Sequence, residues 1–549
     1  DVCTRLRLGA ERVPNVRKLL TDFVQTGMLV GQKELLTECI DLDRSTDIHP
    51  QIATLGVITR NRTAQLERCL LSYIENCKRF GRENDFVVVD DSESAELRAE
   101  HRRKLRALKE QYGVEIRYAG LEEKTAFADA LIKSSGLPED VVRFALFDEE
   151  GCGCSIGANR NAMLLDTVGD LIFSADDDTV CRLTPHPEIN EDVAFFSEVD
   201  PTEFWFYPDR ETALEATPSI ERDLLALHES LLGQNIGKVI NNVSGESQVH
   251  LDEVCPHLYK GMKSGAGTVM VTFNGIVGDS GIPTPAGYLT GLQGETRSRL
   301  IQSEEEYESA LVSREVMRSV NSVSIYHGTQ LMGTVLGIDN RNLLPPFMPV
   351  QRNEDGVFGF LLSTCFEHSF FGYLPWSLLH AAEGRKYSPN FMSYVADRIL
   401  SDIVIFCVAS QPFRPGTLTG RERLLTLGRY LTELGSIARP DFEEFIRLQV
   451  SLRVSQLLSS LEKILKKYDN SPDFWARDLR RYIKTTQQAL QQKDCIIARD
   501  LKEGRTDDEV MQLSQRLVLR FGQLLQVWPE MVEEARRLRA RGQRLAQPV

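Results

Sequence analysis

One run constrains this chain more than any other: Gly169-Asp170-Leu171-Ile172-Phe173-Ser174-Ala175-Asp176-Asp177-Asp178-Thr179. An apolar strand over Leu171 to Phe173 stops at three consecutive carboxylates. Three acids at one strand end repel one another, so they need a cation or a set of donors close by. A hard divalent ion with oxygen ligands, itself bound to a phosphate, meets that need. Side chains alternate along an extended segment, so Asp176 and Asp178 can converge while Asp177 points away. A solvated acidic turn, or an N-cap for a following helix, would be spelled with the same letters.

The flanking chain alternates strand and helix. Ala53 to Thr59 is a buried-strand run, followed by an Arg60-Asn61-Arg62 turn and a helix with Leu66, Leu70, Tyr73 and Cys77 on one stripe. A second strand, Phe86 to Val89, ends at Asp90-Asp91-Ser92, and the next helix carries Leu97, Leu105, Leu108 and Tyr112 before Gly113 stops it. Val114 to Tyr118 reads as a third strand. This spacing predicts βαβ units and a mostly parallel sheet. Such sheets bind ligands beyond the carboxyl ends of their strands, where Asp90, Asp91 and the three acids fall. The Gly151 to Ala162 stretch opens the helix that leads to the acids. Its third glycine comes one position late for G-x-G-x-x-G and it lies deep in the sheet order, which argues against a dinucleotide site. Cys152 and Cys154 read as small residues of a tight loop rather than a redox or metal pair.

A chain of 549 residues predicts two to three domains. We divide it into a helical packing arm (residues 1–50), an α/β domain (51–390) and a helical domain (391–549), with an exposed boundary near residues 411–420. In the last part Val450, Val454, Leu457, Leu461, Ile464 and Tyr468 recur at spacings of four and three, a helix-packing stripe. That part is open to three roles: acceptor binding, formation of a homodimer, or buttressing; its basic end, Arg536 to Arg544, reads as a solvated face. Farther upstream, Val269 to Phe273 reads as a strand, Gly275 to Gly291 as loop near a ligand, and Glu304-Glu305-Glu306 as a solvated helix face. The net charge of -15 argues against nucleic acid as a partner. Eleven scattered cysteines without a CxxC pair predict a reduced, cytoplasmic protein, in which the sequons at Asn61 and Asn242 carry no weight. No secretory leader and no apolar run near about twenty residues is found, so no membrane span is expected. The chain begins with Asp1 rather than Met, so a longer natural N-terminus is expected.

Four motifs in order carry a resemblance: Val57-Ile58-Thr59-Arg60-Asn61-Arg62, Val88-Val89-Asp90-Asp91-Ser92, Gly157-Ala158-Asn159-Arg160-Asn161 and Phe173-Ser174-Ala175-Asp176-Asp177-Asp178. Together, over about residues 53–180, they resemble the nucleotide-sugar half of family 2 glycosyltransferases. The resemblance implies a GT-A-type fold: α/β, a Rossmann-like mixed sheet flanked by helices, here with a C-terminal all-α domain. It implies that Asp91, or Asp90, reads the nucleobase and that Arg160 helps hold the nucleotide. Thr59, Arg60, Asn61, Asp176 and Asp177 would complete the nucleotide-sugar site, and Asp176 and Asp178 would hold Mn²⁺ or Mg²⁺. The pair Glu354-Asp355 is similar to the acceptor-side acidic pair of that family, whose Asp is the general base, and Asp355 matches it. An inverting transfer needs one such carboxylate to take the acceptor proton, and the dipole stabilises negative charge at a helix N-terminus. A capping Glu-Asp pair is the blander reading. His380, closing the apolar Tyr373 to His380 run, corresponds to a late His metal ligand, with His368 as second candidate. The Q-x-x-R-W motif of polymer-forming members is absent. Two departures stand out: residues 120–150 form an insertion, and 182–345 make an unusually long link. The resemblance thus implies a metal-dependent, inverting, hexosyltransferase-like enzyme using a UDP-sugar, with a small molecule, glycan or peptide as acceptor. A sugar-nucleotidyltransferase and a non-catalytic nucleotide-sugar-binding scaffold remain open alternatives. The former would want a glycine-rich loop where this chain has Arg60-Asn61-Arg62.

Overall fold

The structure, a computed structural model, describes residues 12–41, 50–197, 200–243, 248–251, 254–265, 267–327, 331–414 and 416–549. Most of the arm's ends (1–11 and 42–49), Ser244 of the second sequon and Pro415 of the expected boundary lie outside the described residues.

The first strands are β1 (Ile52–Thr59), β2 (Asp85–Asp90), β3 (Ile116–Ala119) and β4 (Leu171–Asp176). They lie in the order β3-β2-β1-β4, all parallel, with Thr59 beside Asp90 and Ile58 beside Asp176. Their residues are almost wholly buried, as expected of parallel strands covered on both faces. The helix between β1 and β2, Thr63–Arg79, buries the Leu66, Leu70, Tyr73 and Cys77 stripe. The one after β2, Ala95–Tyr112, ends on left-handed Gly113 at φ 59°. The 120–150 insertion is two helices, Leu121–Ser135 and Glu139–Leu146.

Beyond β4 the sheet turns mixed. The further strands are β5 (Thr179–Pro185), β6 (Val193–Phe196), β7 (Glu203–Phe206), β8 (Val249–His250), β9 (Thr268–Asp279), β10 (Glu315–Ser319), β11 (Val323–Tyr326), β12 (Val335–Asp339), β13 (Ser369–His380) and β14 (Gln547–Pro548). The main path runs β14-β3-β2-β1-β4-β12-β9-β13-β11-β6-β8. β12 is antiparallel to both β4 and β9, while β9 and β13 are parallel to each other. The carboxyl ends of β1, β2, β4, β9 and β13, and the amino end of β12, therefore share one edge. The expected loop from Gly275 begins as strand instead. A side chain at Gly275 would collide with the Arg318 carbonyl of β10, so this glycine serves close strand packing.

The helical region is not a separate body. Its helices Leu400–Ala409, Gly420–Ser436, Arg439–Lys467 and Asp507–Ala540 share a core with the sheet and the helices over it, from Ile58 and Val89 to Leu361, Trp528 and Ala546. Trp528 donates its indole N–H to the Leu344 carbonyl at 2.8 Å, and the Ala546 N–H reaches Asp166 at 2.9 Å. The basic end is only partly a solvated face, since Arg539 pairs with Asp170 at 2.6 Å. The chain then returns to the sheet, where β14 adds to β3 as an antiparallel edge strand. The expected C-terminal helical region is present, and it shares the largest of the buried clusters with the sheet, because its apolar faces pack on the sheet-covering helices and not only on one another. Among the described residues no helix is long and apolar enough to cross a membrane.

Candidate active site

The three acids sit in the tight turn between β4 and β5, and β13 lies against β5 so that His380 pairs with Thr179. The Ala381 N–H donates to the Asp178 carbonyl at 2.7 Å. Each carboxylate has a cationic partner, Arg62 being shared by two of them. Asp176 accepts from Arg160 at 2.9 Å. Asp177 accepts from Arg62 at 2.9 Å and from the Thr59 hydroxyl at 2.7 Å. Asp178 accepts from Arg62 at 3.0 Å, with His380 Nε2 at 3.3 Å and Arg385 at 3.8 Å. Burial, with the neighbouring carboxylates, carries Asp176 and Asp177 above the usual carboxylate range. Burial acts the same way on Asp178, yet His380, Arg62 and Arg385 hold it well below that range. His380 Nδ1 faces the Asp279 carbonyl at 2.7 Å and must donate to it. Burial alone would depress that imidazole; Asp178 and Asp279 raise it instead. His368 precedes β13 at the strand's other end and takes no part.

A second group of residues lines the ends of β1 and β2. Asp90 is fully buried and accepts from His101 at 2.7 Å, Tyr118 at 2.6 Å and the Ser92 N–H at 2.7 Å. Burial opposes ionisation there, but those three donors hold the carboxyl below its usual value. It is an internal tie. Asp91, partly exposed, accepts from buried Lys124 at 2.8 Å and from the Ser155 hydroxyl. Lys124 comes from the insertion and also donates to Asn159 at 3.0 Å. Arg60 runs to the Gly153 carbonyl at 2.5 Å and Glu93 at 2.6 Å, and Asn61, left-handed at φ 57°, takes its N–H to Ser92. The glycine loop is no phosphate cradle: the Cys152 and Gly153 amides both donate to Asp148. Burial pushes the Cys152 thiol up to about 12, away from reactive thiolate.

The third group starts the helix Glu354–Cys365, whose approach is strained: Gln351 and Asn353 are left-handed at φ 69° and 65°. A side chain at Gly157 would collide with the Met348 carbonyl, so glycine there lets the Arg160 helix dock against this approach. Glu354 is buried and accepts from Arg160 at 3.0 Å. Burial, with Asp355 beside it, raises its carboxyl. The Asp355 carboxylate accepts from the Gly333 N–H at 2.5 Å and the Gly356 N–H at 2.9 Å.

Chain positions from 59 to 385 thus meet at one sheet edge. Sequence reasoning singled out the acids and His380 but missed Arg62, Lys124, Gly333 and Arg385 as their partners. Arg62 stood within the recognised turn, a signal that could have been followed; the other three carry none. Among the described residues no group of three or more His, Cys, Asp or Glu side chains stands close enough to hold an ion.

No family model matches this chain, and no curated protein does. A solved structure, S. aureus TarS 1-349, is similar over 80% of this chain and 91% of that one, at 14% identity and a TM-score of 0.30. A likeness that slight carries no functional weight.

Proposed function

We propose that this chain is a glycosyltransferase that moves a sugar from a nucleotide-sugar donor to a nucleophilic acceptor with inversion. The observation that supports it is the convergence of a strand-end acid group, a late His and a helix-start carboxylate on one edge, from segments up to 204 residues apart (380 − 176). In this reading the nucleoside lies against Thr59, Arg60, Asn61 and Asp91, and the diphosphate lies over Asp176 to Asp178. Arg62 and Arg385, each about one-third exposed beside those acids, face the phosphates.

Asp178 and His380 make a two-residue, partial donor set for a divalent cation. With Nδ1–H committed to a backbone carbonyl, His380 presents Nε2 to Asp178; an ion bound there would displace the Nε2 proton and take its lone pair, the orientation that metal-binding histidines use. Asp178 and His380 would hold Mn²⁺ or Mg²⁺ beside Asp176, the remaining positions falling to phosphate and water oxygens. Bound there, the ion would neutralise the diphosphate and the charge that grows on it as it leaves. Asp355 removes the acceptor proton, held in place by two backbone N–H groups.

The test is calorimetry with UDP-glucose, UDP-galactose, UDP-N-acetylglucosamine and GDP-mannose, in Mn²⁺ and in EDTA. At least one donor should bind in Mn²⁺ and weaken in EDTA, and Asp178→Ala should reproduce the EDTA result. Equal affinity in both media defeats the metal role, and no binding by any nucleotide sugar defeats the function.

A further inference from the structure

We propose that Arg160 is a positioning residue that fixes the base carboxylate, not a ligand of the nucleotide. The proposal rests on the transferase reading above. Arg160 is 3% exposed. Its Nε donates to Glu354 at 3.0 Å, Nη1 to the Ser174 hydroxyl at 3.3 Å, and Nη2 to Asp176 at 2.9 Å and the Gly333 carbonyl at 2.8 Å. A guanidinium has five N–H groups, and four are engaged inside the protein. The Phe347 ring covers the group, 5.7 Å from guanidinium carbon to ring centroid. The one N–H left, on Nη1, belongs to a side chain buried under that ring and not open to a diphosphate.

What Arg160 joins is informative. Asp176 ends β4 on the donor side, Glu354 opens the helix that carries Asp355, and Gly333 lies just before β12. The Gly333 residue is held from both sides: Arg160 takes its carbonyl, and its own N–H donates to Asp355. A side chain at 333 would place its Cβ 2.8 Å from Asp355 Cβ and 3.0 Å from Arg160 Nη2. The rigid fork of one arginine therefore sets the height of Gly333, and Gly333 sets Asp355. Lysine, a single point of charge, cannot span the same directions.

The experiment compares Arg160→Lys and Gly333→Ala with the wild type. It reads donor affinity by calorimetry, using UDP and the best donor of the panel in Mn²⁺, and nucleotide release at saturating donor. Hydrogen exchange is followed at the Gly333 and Gly356 amides. We expect donor affinity to stay within about threefold while turnover falls about a hundredfold, the order expected of a misplaced reacting group. Both amides should exchange faster in the variants. Weakened donor affinity with saturated turnover intact would make Arg160 a donor ligand and overturn the proposal, as would no change in either. If Arg160→Lys fails to fold by circular dichroism, Gly333→Ala decides, since it leaves every charge paired. A wild-type chain that binds no nucleotide sugar would refute the transferase reading first, and that result is distinct from a variant that binds but also turns over normally.

Discussion

At the scale of single residues, the charged groups taken out of water at the sheet edge are paired in a shared network, Arg62 and Arg160 each holding two carboxylates. Where a group is buried without a charge partner, protonation itself costs stability. His228 lies fully buried, its Nε2 at 2.6 Å from Asn274 Oδ1 and its Nδ1 at 2.7 Å from the Thr272 hydroxyl. The amide oxygen can only accept and the hydroxyl can donate, so a neutral ring satisfies both. Burial lowers its pKa to about 4. The folded value thus lies below the unfolded one of about 6.5, so the neutral ring's contribution is complete above pH 6.5. It is lost as pH falls toward 4, up to about 3 kcal/mol. Urea midpoints at pH 7.0, 5.5 and 4.5 should fall more steeply for the wild type than for His228→Gln, and parallel slopes would contradict this. Asp176 to Asp178 could be singled out in the sequence because three acids at a strand end repel one another, and Asp355 and His380 because they match positions in the family the motifs resemble. Lys124, Gly333 and Arg385 could not, since their partners lie 22 to 207 residues away (355 − 333; 385 − 178) and only the fold brings them together.

Among the elements, helices Gly420–Ser436 and Asp507–Ala540 cross through glycines. A Cβ at Gly522 would lie 2.5 Å from the Thr432 backbone nitrogen and 2.8 Å from the Gly428 carbonyl. Mid-helix Gly→Ala ordinarily gains about 1 kcal/mol. Here backbone must move apart, so we expect Gly522→Ala to lose about 1–3 kcal/mol. Denaturant unfolding checks the sign, and a stabilised variant would show that the helices do not meet this closely. The first three βα units were legible because apolar periodicity switches cleanly between strand and helix. Strand direction beyond β4 was not. A buried strand such as β12 or β9 carries no apolar–polar alternation that would mark its direction, and short β6 to β8 give too few residues for a pattern.

Over the whole molecule, the largest of the buried clusters runs from Ile58 of the first strand to Ala546, with β14 closing on β3. We therefore expect one cooperative unfolding transition, coincident by tryptophan fluorescence and circular dichroism. Cleavage within residues 411–420 should leave fragments that stay associated, and a stable, separable 391–549 fragment would contradict a shared core. That core brings the donor edge and the Asp355 helix together, so chemistry and binding can be separated by one substitution. Asp355→Asn keeps the side chain's size and its acceptor oxygen for the Gly333 N–H but cannot take a proton. The decisive measurement is its donor affinity and nucleotide release, side by side with the wild type. We expect unchanged affinity and release slowed by about two to four orders of magnitude; release near the wild-type rate, or loss of donor binding as well, would show that Asp355 is not the base.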